Sequence, residues 1–407
     1  MRSSVRTTIR FALIGFAGLL VLLIALKLLI PAGENVHPPL SRLDAGTKTA
    51  MVSYLRDAGL KPEEYIVSKF RIYDVVLLGE NHRVQQDPLF VQRLIPVLYR
   101  NGIRLLGFEF ASREDQSRLD RLVNAPTYDE SLAIGILRNF ECGIWPYREY
   151  LDIFRAAWAL NARLPHDSER FRILPMTSYI DGEKLRYGTD SERKEQERCL
   201  TSADSLIGEV VGREALEKGK KILVYCGFHH AFSRFRQPMT DDNGAVFSGR
   251  YFETRGGQRI YHRYPGRVIM VKLHSPHWYP AFKGYGLPFG GVVDQVFQGY
   301  RQPVGFDIAG SPFAGFRDST SVYALGRGSI SFSDFCDGYI VLDEMKNFRP
   351  TTVIPAWLDG VSFSQFKRHF FRELPFYVIH PGIFLWMVDD NPVKNYPQLG
   401  RELEQEP

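Results

Sequence analysis

Tyr73-Asp74-Val75-Val76-Leu77-Leu78-Gly79-Glu80-Asn81-His82 is the stretch on which the fold turns. A short apolar run closed by glycine is the pattern of a buried strand, and here two polar residues, Glu80 and His82, follow at once. Residues 87–101 then place Phe90, Leu94, Val97 and Leu98 at helical spacing and stop at Asn101-Gly102. A second strand is expected over 103–110, apolar but for Arg104 and Glu109. Residues 113–124, 129–140 and 147–161 read as helices, the last with Leu151, Phe154, Ala157 and Trp158 on one face. A third strand lies in 171–176, a highly charged helix covers 190–218, and a fourth strand, Lys221-Ile222-Leu223-Val224-Tyr225-Cys226, is stopped by Gly227. Residues 268–273 and 339–342 are later strands. Strands alternating with helices mean βαβ units: an α/β fold with a mainly parallel sheet and helices on both faces. The stretch 276–318, rich in Gly, Pro and aromatics, reads as long loops able to form a lid over one end of the sheet.

The 407 residues are enough for one large domain or two smaller ones. A hydrophobic share of 44%, with 29 Phe and 20 Tyr, supplies a large core, and the charged share of 24% is ordinary. The net charge of +5 comes without a long basic block, so nothing points to nucleic acid. The four cysteines, Cys142, Cys199, Cys226 and Cys336, form no CxxC pair, which excludes a zinc ribbon or thioredoxin-like motif. Buried free thiols and one or two disulfides both remain open.

Ahead of the strands lies a different kind of segment. Arg2, Arg6 and Arg10 precede FALIGFAGLLVLLIALKLLI, residues 11–30, which carries one charge, Lys27. About twenty helical residues cross a hydrocarbon core, and the exit Leu29-Ile30-Pro31-Ala32-Gly33 is a poor cleavage site. The expected division is a cytoplasmic N-terminus (1–10), a single transmembrane anchor (11–30), a linker (31–45), the α/β domain (46–345) and a C-terminal extension (346–407). Arginines before the anchor and none after it until Arg42 put the N-terminus inside and the main domain in the periplasm or exterior.

In open α/β sheets, ligands sit beyond the carboxyl ends of the strands. Strand one exits into Glu80 and His82, and strand two ends at Glu109. Strand three exits toward Ser178, Tyr179 and Asp181, strand four into His229-His230, and strand five into His274 and His277. Ten histidines scattered at random would seldom line one edge in this way. A carboxylate beside a histidine orients it and raises its basicity. The candidate catalytic set is Glu80, His82, Glu109, His229 and His230. The same residues also suit a divalent ion with a bound water, held by Glu80, His82, Glu109 and His229. Gly79 and Gly227 allow sharp turns and close approach. No G-x-S-x-G elbow, HExxH helix, Walker A loop or GxGxxG fingerprint is present, so serine-hydrolase, zincin, P-loop and Rossmann readings lose support.

Leu77-Leu78-Gly79-Glu80-Asn81-His82, Gly107-Phe108-Glu109-Phe110 and Val224-Tyr225-Cys226-Gly227-Phe228-His229-His230, in this order, resemble the erythromycin esterase-like, ChaN-like and Tiki/TraB-like superfamily. Residues 145–161 followed by 171–181 are similar to the esterase-like branch, and Asp337-Gly338-Tyr339-Ile340-Val341-Leu342-Asp343 is similar to a closing strand of the same domain. The resemblance covers about residues 70–345. It implies hydrolysis with His82 as base in the esterase-like branch, metal-dependent proteolysis in the Tiki-like branch, and haem binding for iron uptake in the ChaN-like branch. The implied cofactor is Mn, Zn or Co in one case and haem in another. The reading favoured by two acids among histidines is a membrane-anchored extracytoplasmic hydrolase of ester or peptide bonds, with a small-molecule or peptide substrate. The alternatives are a haem- or iron-binding protein and a non-catalytic envelope platform.

Overall fold

Seven strands build the central sheet: β1 (Val75–Glu80), β2 (Leu105–Ser112), β3 (Arg172–Thr177), β4 (Ile222–Gly227), β5 (Val268–Leu273), β6 (Val304–Asp307) and β7 (Gly338–Val341). In this computed structural model the described residues are 38, 40–240, 246–252, 254–369 and 378–404, without the side chains of 142 and 246–249. The expected anchor, residues 11–30, lies outside them. Among the described residues no helix is long and apolar enough to cross a membrane.

The strand order is β6-β7-β5-β1-β4-β2-β3. Every neighbouring pair is parallel except β6 with β7. The fold is thus mixed α/β with a mainly parallel sheet, as the alternation of runs predicts. β1 is fully buried, as central parallel strands are. Successive side chains point to opposite faces. Val76 and Leu78 therefore enter one core, with Phe90, Leu94 and Phe154, while Val75 and Leu77 enter the other, with Ile207, Val211 and Ile260. The first layer is built by α1 (Gln86–Arg100) and α2 (Arg148–Asn161). The second is built by α3 (Ala203–Glu214), α4 (Phe228–Ala231) and α5 (Gly256–Arg263).

Several expectations are corrected. The charged helix over 190–218 is two helices, Asp190–Leu200 and α3, parted at Thr201-Ser202, where the Ser202 hydroxyl donates to the Cys199 carbonyl (2.7 Å). Residues 276–318 are not simply loops: they hold a helix, Val292–Tyr300, that buries Val292, Val293, Val296 and Phe297, and then the edge strand β6. Residues 346–369 and 378–404, set apart as an extension by sequence, fall in the same compact unit as the sheet. Trp357 is wholly buried in the first core, and its indole donates to the Gly143 carbonyl (2.8 Å). The thiols of Cys199, Cys226 and Cys336 are unpaired.

Candidate functional site

β1 and β4 are neighbours in register, so Glu80 pairs with Gly227 at the carboxyl edge. Glu80 is 1% exposed. A buried carboxylate is costly unless hydrogen-bonded, and here both oxygens are engaged. Oε1 meets His82 Nδ1. Oε2 accepts from the Tyr150 hydroxyl of α2 (2.6 Å), with the Tyr225 hydroxyl of β4 at 3.5 Å. Because Nδ1 is held by the carboxylate, Nε2 is the free nitrogen of His82. The ring is braced edge-on by Trp145 (5.1 Å between centroids) and Phe110 (5.7 Å). Its side chain is still 45% exposed, so the dyad is closed behind and open in front.

The chain leaves this dyad through a strained turn. Arg83 has φ of 72°, a left-handed backbone that a non-glycine residue seldom adopts. Its N–H donates to the Tyr150 hydroxyl (3.1 Å), so the tyrosine that supports Glu80 also holds the turn.

Glu109 arrives from the other face. The β2–β4 ladder ends at Phe108 with Tyr225, and β2 shifts register against β3 between Phe108 and Ser112. Such an irregularity re-aims a side chain. The Glu109 carboxylate takes over where the ladder stops: Oε2 accepts the Gly227 N–H (2.6 Å). Its Oε1 lies 3.5 Å from His230 Nε2. His230 Nδ1 meets Asp204 of α3 (2.7 Å), and Asp204 also accepts from Gly256 N–H (2.7 Å) and Arg255 (3.2 Å).

Two carboxylate–histidine chains, one in each helical layer, thus meet over Gly227. The missing side chain there is essential. A Cβ would stand 2.7 Å from His82 Cε1, 3.2 Å from His82 Nε2 and 3.5 Å from Glu109 Oε2.

The charges follow from the neighbours. Burial opposes protonation of His82, but the Glu80 charge and hydrogen bond, with Glu109 and Glu141 beyond, lift its pKa to about 9. Solvent at the open side of the ring screens part of that lift. His230 is likewise raised: burial works against it, and Glu109 and Asp204 prevail. Asp204 stays below the usual carboxylate range because His230 and Arg255 outweigh its burial. His229 goes the other way. Burial, then Arg255 and His230, push it well down, and Nε2 pairs with the Tyr323 hydroxyl (2.9 Å).

Of the five sequence candidates, Glu80, His82, Glu109 and His230 come together, and His229 faces Tyr323 instead. His274 is buried between Tyr339 (3.0 Å) and Asp294 (2.9 Å), and His277 lies 3.4 Å from Asp318. Asp181 caps the helix Gly182–Tyr187 through the N–H groups of Glu183 and Lys184. Tyr150, Asp204 and Arg255 were not foreseen. Tyr150 sits four residues before Phe154 on the buried face of its helix, the one signal that marked it.

The four-residue metal set Glu80, His82, Glu109 and His229 does not close around a point. Both Glu80 oxygens, one Glu109 oxygen and His229 Nε2 already have partners. Among the described residues no three His, Cys, Asp or Glu side chains form a metal-holding group. The donors present therefore do not fit a divalent ion. For haem, the outward donor at this edge is His82 Nε2, with Glu80 behind the ring.

Residues 66–165 match the family model described as haem-binding uptake, Tiki superfamily, ChaN. This part of the chain is of the ChaN/Tiki superfamily. The ChaN/Tiki segment carries Glu80, His82, Glu109 and Tyr150, while His229 and His230 lie beyond it. No curated protein matches the chain. Among solved structures, a Bacillus cereus protein is 11% identical, with a TM-score of 0.45, and covers 75% of this chain and 99% of its own. A succinoglycan biosynthesis protein is 10% identical (TM-score 0.47), over 77% of this chain and 100% of its own. ChaN of Campylobacter jejuni, described with cofacial haem binding, is 13% identical (TM-score 0.33), over 52% of this chain and 86% of its own. Likeness this loose carries no residue role across.

Proposed function

We propose that the chain is a hydrolase of ester or peptide bonds, with His82 as the base that activates water. Residues 11–30 hold it in a membrane and residues 46–407 lie outside the cytoplasm. The observation that carries the catalytic reading is the free Nε2 of a Glu80-anchored, half-open imidazole beside the Glu109 carboxylate at Gly227.

His82 Nε2 takes a proton from water as the water oxygen bonds to the substrate carbonyl carbon. The negative charge that forms on the carbonyl oxygen is stabilised by His230, whose pKa is raised against its burial by Glu109 and Asp204. When the carbon–oxygen or carbon–nitrogen bond breaks, the proton on His82 passes to the leaving group. Glu80 and Tyr150 hold the ring and touch no substrate. No step passes through a metal.

The test is turnover by the purified full chain on chromogenic esters and a peptide panel. His82→Ala, with circular dichroism unchanged, is expected to abolish turnover; undiminished activity sinks the reading. The family match favours a second reading, in which His82 ligates haem iron. There, added haem gives a Soret band that His82→Ala removes, and nothing is hydrolysed.

A further inference from the structure

The helix α6 (Pro381–Asp389) carries six apolar residues in a row, Ile383-Phe384-Leu385-Trp386-Met387-Val388. A helix that is apolar all round is either buried or in contact with lipid. α6 is only half buried. Phe384 and Val388 enter the first core, where Phe384 packs on Phe366 at 4.8 Å. Trp386 on the other side is 67% exposed, and Ile379, just ahead of the helix, is 74% exposed. No charge interrupts residues 381–388. The first acid after them, Asp389, is paired with Lys394 (2.7 Å). Lys367 and Arg368 lie at the end of the adjoining helix Phe363–His369, which suits anionic headgroups.

The helix that follows α6 lies near the point where the chain enters the domain. The following helix, α7 (Tyr396–Glu402), packs Tyr396 and Leu399 into a small cluster with Val393 and Leu40. Leu40 lies where the chain enters the domain, ten residues past the end of the apolar run at Ile30. Ten extended residues reach at most ~35 Å, so the surface around Leu40 cannot leave the neighbourhood of a bilayer that holds residues 11–30. Tryptophan is the side chain that settles at such an interface, its ring apolar and its N–H wet.

We infer that the Ile379 and Trp386 side of α6 rests in the headgroup region of a lipid bilayer. This rests on the anchor reading above. The Tyr147 hydroxyl donates to the Val388 carbonyl (3.0 Å), and Asn81 Nδ2 donates to the Tyr396 hydroxyl (3.1 Å). The docked helix and its neighbour are therefore bonded to the residues around His82.

The test uses the full chain in vesicles of phosphatidylcholine and phosphatidylglycerol, with and without bromine on the acyl chains. None of the five tryptophans precedes residue 145, so residues 11–30 add no emission of their own. Brominated lipid is expected to quench the wild type and to lose that component in Trp386→Phe, an exposed and conservative change. Equal quenching of the two proteins overturns the inference, as does loss of quenching together with Trp386-dependent cross-linking between copies. Carbonate extraction reads the anchor separately. Protein that stays in the pellet without Trp386 quenching refutes docking alone. Protein that is released refutes the anchor reading, and Trp386 quenching on simple mixing would then still sustain docking.

Discussion

Replacing Glu80 by Gln keeps the size of the side chain and removes its charge, which isolates the force that sets His82. The ring has a pKa of about 9 against an ordinary value of 6.5. At pH 7 a group two units above ambient pH is neutral in only about one molecule in a hundred, and each unit of pH gains about tenfold. Turnover that needs neutral His82 should therefore climb about fiftyfold from pH 7 to 9 and about a hundredfold by its plateau above pH 10. In Glu80→Gln the Glu80 charge is lost while burial and the weaker pull of Glu109 and Glu141 remain, so the midpoint should fall well below 9 and the climb should end at correspondingly lower pH. A histidine Cε1–H titration by NMR from pH 5 to 10, with the peak assigned through His82→Ala, reads this without substrate. The same sign applies to stability. A raised folded-state pKa contributes stability in full below the unfolded value near 6.5, and that contribution is lost as pH rises through about 9. A wild-type midpoint at or below 6.5, or one unmoved by Glu80→Gln, refutes the argument.

Gly227→Ala places a methyl 2.7 Å from His82 Cε1; overpacking of this kind costs ~1–3 kcal/mol, and the displaced His82 resonance should accompany loss of turnover in a protein that still melts cooperatively. Asp204→Asn leaves Arg255, 10% exposed at its side chain, without its carboxylate partner. Breaking a buried pair costs ~3–5 kcal/mol, so denaturant unfolding should show a drop of that order, partly restored by adding Arg255→Met. Tyr150→Phe deprives Glu80 of its 2.6 Å donor, and the unsatisfied acceptor should cost ~1–3 kcal/mol. Trp357→Ala empties a fully buried site, which costs ~3–5 kcal/mol; a change of only a few tenths would mean that residues 346–369 and 378–404 are not part of the fold's core.

The parallel sheet was legible because its strands are continuous apolar runs that glycine or a polar residue terminates, as at Gly79, Glu109 and Gly227. β6 was not. It has four residues, follows Pro303, and lies among glycines and aromatics that mimic a loop. The break at Thr201-Ser202 was hidden because charged residues run on both sides of it, and charge says little about where a helix stops. At the site, residues fixed by a strand end were readable: Glu80, His82, Glu109 and one of the two adjacent histidines. Which of that pair faces inward depends on a single turn of helix, and the sequence left it open. Asp204 looked like one more acid in a charged segment. Its role appears only when α3 and α5 pack on the same face and bring Arg255 to it. The burial of Trp357 was equally invisible, since aromatics without a period carry no register.

The two halves of the site are braced by different layers. Glu80 and His82 lean on Tyr150 and Trp145, while Glu109 and His230 lean on Asp204 and Arg255. The sheet between them is a partition. Substitutions accumulating behind one layer act on His82 directly, and those behind the other act on His230 and reach His82 only through Glu109. A lineage built on this plan can adjust its working pH coarsely from one layer and finely from the other.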